Sequence, residues 1–356
     1  MIRPILFVLI ITILSGCRSD SFTSGEVIPL AGERIFIPED FFGKGLDVIA
    51  SDTFYFQSYD PAYKYVVARL KNDTLFTCDS ILKMGQGPGE VLSASLFKDR
   101  NDQVYALTKS TNHPISVKEI DLYSDSRNWT EVSNDTLRGN FDWGGRNNIV
   151  LTPDSMVLFA GAKFPQVKGM LSLFNMRDGT VENTDFFPAD GIKSSPLTKY
   201  AIYTINSLLG SNNKGQYVYG MGFNKFAFIF HLENDTPVID KWLFDEYPNY
   251  NQTDELGNYH YDPQKERLFI YATDSYIYIL IKNLDQNGKR AESFSDVSNG
   301  DNVLVFDWNG NKMASYELDS FGSDIFIDKA DDTLYLEKDD GDTGELILRK
   351  YSLPKD

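Results

Sequence analysis

Val303-Leu304-Val305-Phe306-Asp307-Trp308-Asn309-Gly310-Asn311-Lys312-Met313-Ala314-Ser315-Tyr316-Glu317-Leu318 alternates apolar and polar residues on both sides of Asn309-Gly310. Alternation with period two marks a half-buried strand, and Asn-Gly tolerates positive φ, so the stretch reads as a β-hairpin with a type I′ turn. A lone hairpin buries too little to persist in water. Its partners have to lie elsewhere in the chain.

They do. A polar turn leading into an apolar-aromatic strand occurs at Ser51-Asp52-Thr53-Phe54-Tyr55, Asn101-Asp102-Gln103-Val104-Tyr105, Asp154-Ser155-Met156-Val157-Leu158, Lys214-Gly215-Gln216-Tyr217-Val218, Lys265-Glu266-Arg267-Leu268-Phe269 and Asp331-Asp332-Thr333-Leu334-Tyr335. With Tyr55, Tyr105, Leu158, Val218, Phe269 and Tyr335 as markers, the gaps are 50, 53, 60, 51 and 66 residues. A second landmark, an outer hairpin turn, falls between them at Asn72-Asp73, Ser124-Asp125, Asp178-Gly179, Asn234-Asp235 and Asn309-Gly310. Each repeat therefore holds four short strands, and such units arranged radially are propeller blades. The expected fold is all-β: a six-bladed β-propeller with four antiparallel strands per blade.

The last repeat stops one strand short. At the other end, Val27-Ile28-Pro29-Leu30 and Arg34-Ile35-Phe36-Ile37 form strand-like segments with no blade of their own. Closing the ring with this N-terminal strand beside the last blade would cover an edge otherwise open to aggregation. The long fifth interval is explained by a polar insertion at 283–300, read as a mobile surface loop, and helix is confined to a turn or two near Pro196-Leu197-Thr198-Lys199-Tyr200-Ala201.

Composition agrees with a folded β protein: 42% of the 356 residues are hydrophobic and 14% aromatic, with 20 Tyr and 25 Phe. The formal net charge of −17 repels phosphate backbones, and there is no Lys/Arg block to act as a local arm, which excludes nucleic acid as a partner. Two cysteines are too few for a disulfide framework. Cys78 reads as a small buried strand residue.

The other cysteine belongs to the N-terminus. Arg3 precedes an apolar run from Pro4 to Ile13 that is too short for a good membrane span, and the run ends in Leu14-Ser15-Gly16-Cys17. That ending resembles the lipobox of bacterial lipoproteins, whose cysteine is lipidated before the preceding bond is cut. The implied organisation is a signal peptide at 1–16, a lipidated tether at 17–25 starting with Cys17, and the propeller at 26–356. The lipid is the expected link to the membrane, and the expected address is the bacterial cell envelope, at the outer membrane and facing the periplasm or the surface.

Met84-Gly85-Gln86-Gly87-Pro88-Gly89-Glu90-Val91-Leu92 joins the first blade to the second. The glycines permit tight backbone and Pro88 stiffens it, which suits a connection between blades. A phosphate cradle is disfavoured, because Pro88 has no N–H and no amphipathic helix follows. With the lipobox and six repeats, this stretch resembles the TolB-like six-bladed propeller lipoproteins common in Bacteroides-type bacteria. The resemblance covers the whole mature chain, and it assigns Gly85, Gly87, Pro88, Gly89 and Glu90 to an inter-blade motif.

Candidates for chemistry are few. His113, His231 and His260 lie at no metal-ligand spacing, and no G-x-S-x-G elbow occurs. No catalytic residue, cofactor or metal ligand is assigned. Some six-bladed propellers hold calcium with inner-strand carboxylates and amides, and Asp52, Asp102, Asp154, Asn213 and Asp324 would be the residues to supply them; most are also ordinary turn residues. The acidic run 339–345 lacks the ordered register of a calcium loop. Tyr247, Tyr250, Tyr259 and Tyr261 crowd the blade four-to-five connection and form the candidate binding surface for a sugar or peptide, with packing between blades as the alternative. Asp73-Thr74-Leu75, Asp135-Thr136-Leu137, Asp154-Ser155-Met156 and Asp332-Thr333-Leu334 resemble a short O-glycosylation sequence of such envelopes, though they are ordinary strand entries as well. The expectation is a binding or scaffolding module for a protein, peptide or glycan. The alternative is a calcium-dependent hydrolase, lactonase or lyase in the central channel.

Overall fold

The computed structural model describes residues 26–109, 116–121, 129–131, 141–143, 148–163, 167–204, 206–212, 214–254, 258–262, 266–283, 299–339 and 346–354. Cys17, His113, Ser124-Asp125, Asp135-Thr136-Leu137, Asn213, the body of the polar insertion and most of the acidic run lie outside them.

Six antiparallel sheets follow one another along the chain. Blade one runs Gly43–Ala50, Thr53–Ser58, Tyr63–Lys71 and Thr74–Lys83, inner strand to outer. Blade two repeats the order with Ser93–Lys98, Val104–Lys109, Ser116–Ile120 and Trp129–Glu131. In blade three, Phe141–Trp143 and Ile149–Leu151 both pair with Met156–Lys163 on its inner side, and Leu171–Asn175 and Val181–Asn183 complete the sheet. Blade four is Ser207–Ser211, Gln216–Met221, Phe226–Glu233 and Thr236–Asp245. Blade five is Glu266–Ala272, Tyr276–Asn283, Asn299–Asp307 and Lys312–Gly322, and blade six is Asp324–Ile327, Thr333–Asp339 and Leu346–Ser352. One short helix, Pro196–Thr204, links blades three and four. A separate hairpin, Asn249–Gln252 with Tyr259–Asp262, links blades four and five.

The six-bladed, four-stranded expectation holds, with one marker displaced. Arg267-Leu268-Phe269 lies on the inner strand of blade five, whereas the other five markers lie on second strands. The equivalent residue is Tyr278, and the spacings become 50, 53, 60, 60 and 57 residues. The irregular fifth interval was a landmark on the wrong strand, since both strands run into aromatics after a charged or polar residue.

The opening hairpin pairs as expected but not through a type I′ turn. Gly310 is at φ 78° while Asn309 is absent from the positive-φ residues. Asp307 explains the difference: its Oδ1 accepts the Asn309 and Asn311 N–H groups at 3.0 and 2.7 Å. A side chain that caps the turn in this way selects a three-residue loop with a bulge at the glycine. The type I′ turns are Asn72-Asp73, at φ 49° and 58°, and Asn234-Asp235, at 49° and 62°.

Ring closure divides the N-terminal segment among three blades. Glu33–Arg34 completes blade six against Lys350 and Arg349, as the missing strand requires. Val27–Leu30, expected beside the last blade, instead adds a fifth, parallel strand to blade five at Ser315–Leu318. Phe36 then bridges in parallel to Thr74 of blade one. The physical reason is that the turn at Ala31-Gly32 is pinned: Asp319 Oδ1 accepts the Gly32 N–H and the Tyr351 hydroxyl, and Arg349 donates to Gly32 O and Asp319 Oδ2. The strap therefore bonds to three blade edges in turn.

The core lies between blades. One apolar cluster spans blades four, five, six and one, and three smaller ones fill the interfaces of blades three and four, one and two, and two and three. Blade six meets blade one through Phe54 and Tyr335, edge to face at 5.2 Å, and through Glu337 Oε2, which accepts the Leu46 N–H at 2.5 Å. Near it, mostly buried Lys282 donates to Ser323 O at 3.0 Å and sits 3.8 Å from Asp324; desolvation lowers its pKa despite Asp324. Cys78 is exposed, contrary to expectation, because it falls where the outer strand of blade one bulges between Thr77 and Asp79.

Candidate functional site

Strand direction gives the propeller two unlike faces. The turns between first and second strands lie on one, the turn face. The connections between blades lie on the other.

Five of the six inner-strand turns share one device. At the end of the inner strand a short polar side chain accepts backbone N–H groups of the turn that follows: Asp99 from Asn101 and Gln103, Thr152 from Met156, Asn212 from Lys214 and Gln216, Thr273 from Ser275 and Tyr276, and Asp328 from Asp332 and Thr333. A hydrogen-bonded Asx or Ser/Thr turn fixes the chain reversal locally. The ring of turns around the channel is thus built rigid.

Within it opens a cavity of about 150 Å³ lined by inner-strand residues of all six blades. Its floor is apolar, with Val48, Leu96, Phe97, Val150, Leu209 and Ile270, and its rim is charged, with Asp47, Lys98, Arg100, Asp102, Asp274 and Lys329. Lys98 Nζ lies 3.1 Å from Asp102 Oδ1, Lys329 Nζ lies 3.7 Å from Asp102 Oδ2, and Ser51 donates to that second oxygen at 3.2 Å. Burial opposes the Lys98 charge, yet Tyr271, Asp102 and Asp274 together hold its pKa above the ordinary lysine value. Asp47 is 4% exposed and is the residue skipped at the second of two register shifts in its strand. A bulge re-aims a side chain, and Asp47 is among the residues lining the channel.

Of the carboxylates and amides considered for calcium, Asp102 alone lines this cavity among the described residues. Asp52 is exposed beside Arg69, 4.0 Å away, Asp154 is exposed in its turn, and Asp324 faces Lys282. Among the described residues no three His, Cys, Asp or Glu side chains gather as a metal-holding group. Asp102 has both oxygens engaged by cations, and Asp99 and Asp328 cap turns.

The sequence-derived binding residues lie on the connection face. Tyr250 is buried and donates to Asp190 Oδ2 at 2.5 Å; Tyr203 donates to the same oxygen at 3.1 Å. Asp190 Oδ1 accepts the Ile192 N–H at 2.9 Å and pairs with Lys199 at 2.8 Å, and its side chain is fully buried. Burial raises its pKa, but the Lys199 and Tyr250 hydrogen bonds outweigh that and hold it below the usual aspartate value. The Tyr247 ring packs at a tilt, 5.1 Å from Phe226 and 5.7 Å from Trp242, Tyr261 donates to Asn224 Oδ1, and Tyr259 is half-buried on the same cluster. The four tyrosines are brought together, chiefly as packing between the connecting hairpin and blade four.

In the inter-blade motif, Glu90 Oε2 accepts the Gly87 N–H at 2.8 Å and Oε1 meets Lys83 at 2.7 Å. Gly85, at φ 152°, leaves room for that carboxylate; a Cβ there would lie 2.0 Å from Oε2. Gly87, Pro88 and Gly89 carry the chain around it. The motif and the tyrosines share a face but sit on opposite sides of the ring.

No family model and no curated protein matches the sequence. Similar folds occur among solved structures. A Bacteroides fragilis protein described as exported has TM-score 0.48 at 10% identity, over 93% of this chain and 100% of its own. A calcium-binding regucalcin from Agrobacterium tumefaciens has TM-score 0.46 at 13% identity, over 92% and 97%. A gluconolactonase from Xanthomonas campestris has TM-score 0.44 at 10% identity, over 88% and 86%. At these values no residue role passes to this chain.

Proposed function

We propose that the protein is a lipid-anchored binding module of the bacterial envelope, of the TolB-like kind, whose contact site is the channel mouth on the turn face. Leu14-Ser15-Gly16-Cys17 supports the anchor, and among the described residues no helix is long and apolar enough to cross a membrane. The observation that carries the reading is the engagement of Asp102 by Lys98 and Lys329. It fixes recognition groups in place and leaves that carboxylate unavailable to a metal. The alternative, a calcium-dependent hydrolase, lactonase or lyase, needs three or more free acidic or amide groups around an ion. A partner in the envelope, protein or glycan, is the expected ligand.

The test is photo-crosslinking in intact envelopes, with a photoreactive side chain at Arg100 on the turn face or at Gln86 on the connection face. A specific adduct from position 100 and none from 86 is the expected result. Adducts from 86 alone would overturn the assignment of the site.

A further inference from the structure

The mouth also constrains what it holds, provided the site assignment above is right. Its volume is about 150 Å³. That is below the range of drug-sized pockets, about 300–1,000 Å³. This is room for about one ring inside the mouth, with the rest of a longer chain outside it.

Charge narrows the chemistry. The lining carboxylates Asp47, Asp99, Asp102, Asp274 and Asp328 outnumber the cations Lys98, Arg100 and Lys329. An anionic ligand therefore meets net repulsion. A cationic one finds Asp102 engaged by Lys98 and Lys329, and Asp99 and Asp328 engaged by turn N–H groups. A neutral hydroxyl suffers neither penalty, because it can donate to a carboxylate and accept from an ammonium at once. Lys98 has three N–H donors, and its bond to Asp102 uses one. Ser211 and Tyr271 also line the wall, beside apolar residues. Aromatic surface beside paired donors and acceptors suits the C–H faces and hydroxyl edges of a sugar. The capped turns hold these groups before a ligand arrives, which lowers the ordering cost of binding.

We propose that the channel mouth binds one neutral, hydroxyl-rich ring, a monosaccharide unit at the end of a glycan. The test is calorimetric and NMR titration of the detergent-solubilised full chain with D-glucose, D-galactose, D-mannose and N-acetyl-D-glucosamine, against D-glucuronate, D-galacturonate and D-glucosamine. At least one neutral sugar should bind, with its charged counterparts about tenfold weaker or more, a difference of about 1.4 kcal/mol. Lys98→Met and Ser211→Ala should each weaken binding while circular dichroism stays unchanged, and Gln86→Ala should leave it intact. Should Lys98→Met unfold, Ser211→Ala decides. Equal or tighter binding of a uronate or of glucosamine would overturn the proposal, as would the absence of binding by every neutral sugar. If sugars fail while the position-100 adduct persists, only the ligand class falls; if both fail, the site assignment falls with it.

Discussion

Replacing Asp190 by alanine tests whether the tyrosine-rich connection is an anchor of the fold. The substitution removes four hydrogen bonds: from Ile192 N, Lys199 Nζ, Tyr203 OH and Tyr250 OH. Two buried phenols losing an acceptor cost about 1–3 kcal/mol each, and the lost backbone bond about 1 kcal/mol. Lys199, whose side chain is 19% exposed, adds the penalty of a mostly buried ammonium without its counter-ion. The expected loss is about 4 kcal/mol or more, a large part of the roughly 5–15 kcal/mol available to a folded protein. Urea unfolding followed by tryptophan fluorescence measures it. A loss below about 1 kcal/mol would refute the reasoning, since a loss that small is the ordinary effect of a surface change. The pH dependence follows the same bond set. Because the folded-state pKa of Asp190 is lowered, its contribution is present above the unfolded value of about 3.9 and is lost as pH falls through the lower folded value. Asp190→Asn should therefore flatten the stability curve in that acidic window and leave its shape near neutrality unchanged.

Three further outcomes are expected. Gly85→Ala drives a Cβ onto the Glu90 carboxylate at a positive φ and should cost about 1–3 kcal/mol, read by calorimetry; an unchanged melting temperature would contradict the packing described. Asp319→Ala removes the pin shared by Gly32, Arg349 and Tyr351 and should cost about 1–2 kcal/mol, with faster amide exchange at residues 27–35 and none of the acceleration in blade three. Cys17→Ser should abolish fatty-acid labelling and release the protein from membranes, and continued membrane association would remove the anchor from the account.

The architecture was legible because every blade repeats the same alternation and turn chemistry, as in the 303–318 hairpin. It was misread where two strands of one blade look alike, which put the fifth marker at Phe269 in place of Tyr278. The type of the Asn309-Gly310 turn escaped because Asp307, two residues earlier, decides it through a side-chain hydrogen bond. The path of Val27–Leu30 escaped for a different reason: an apolar strand says that it needs an edge, not which edge. The channel mouth was hidden more deeply. Its rim takes single residues from positions as far apart as Asp47 and Lys329, and nothing local marks Lys98 as facing Asp102 across a turn. One signal was present in the sequence. Asp99, Thr152, Asn212, Thr273 and Asp328 recur at the end of each inner strand after blade one, and in four of the five the residue just before (Lys98, Ser211, Ala272, Ile327) lines the channel.

The central claim is that the mouth recognises its ligand with paired side chains and without a metal. Metal analysis of the purified full chain, coupled to a thermal-shift titration with calcium, tests it most directly. The account predicts less than one equivalent of metal and no shift. Stoichiometric calcium, with a stabilisation that a chelator reverses, would contradict it, because a ligand that binds the native state alone must raise its melting temperature.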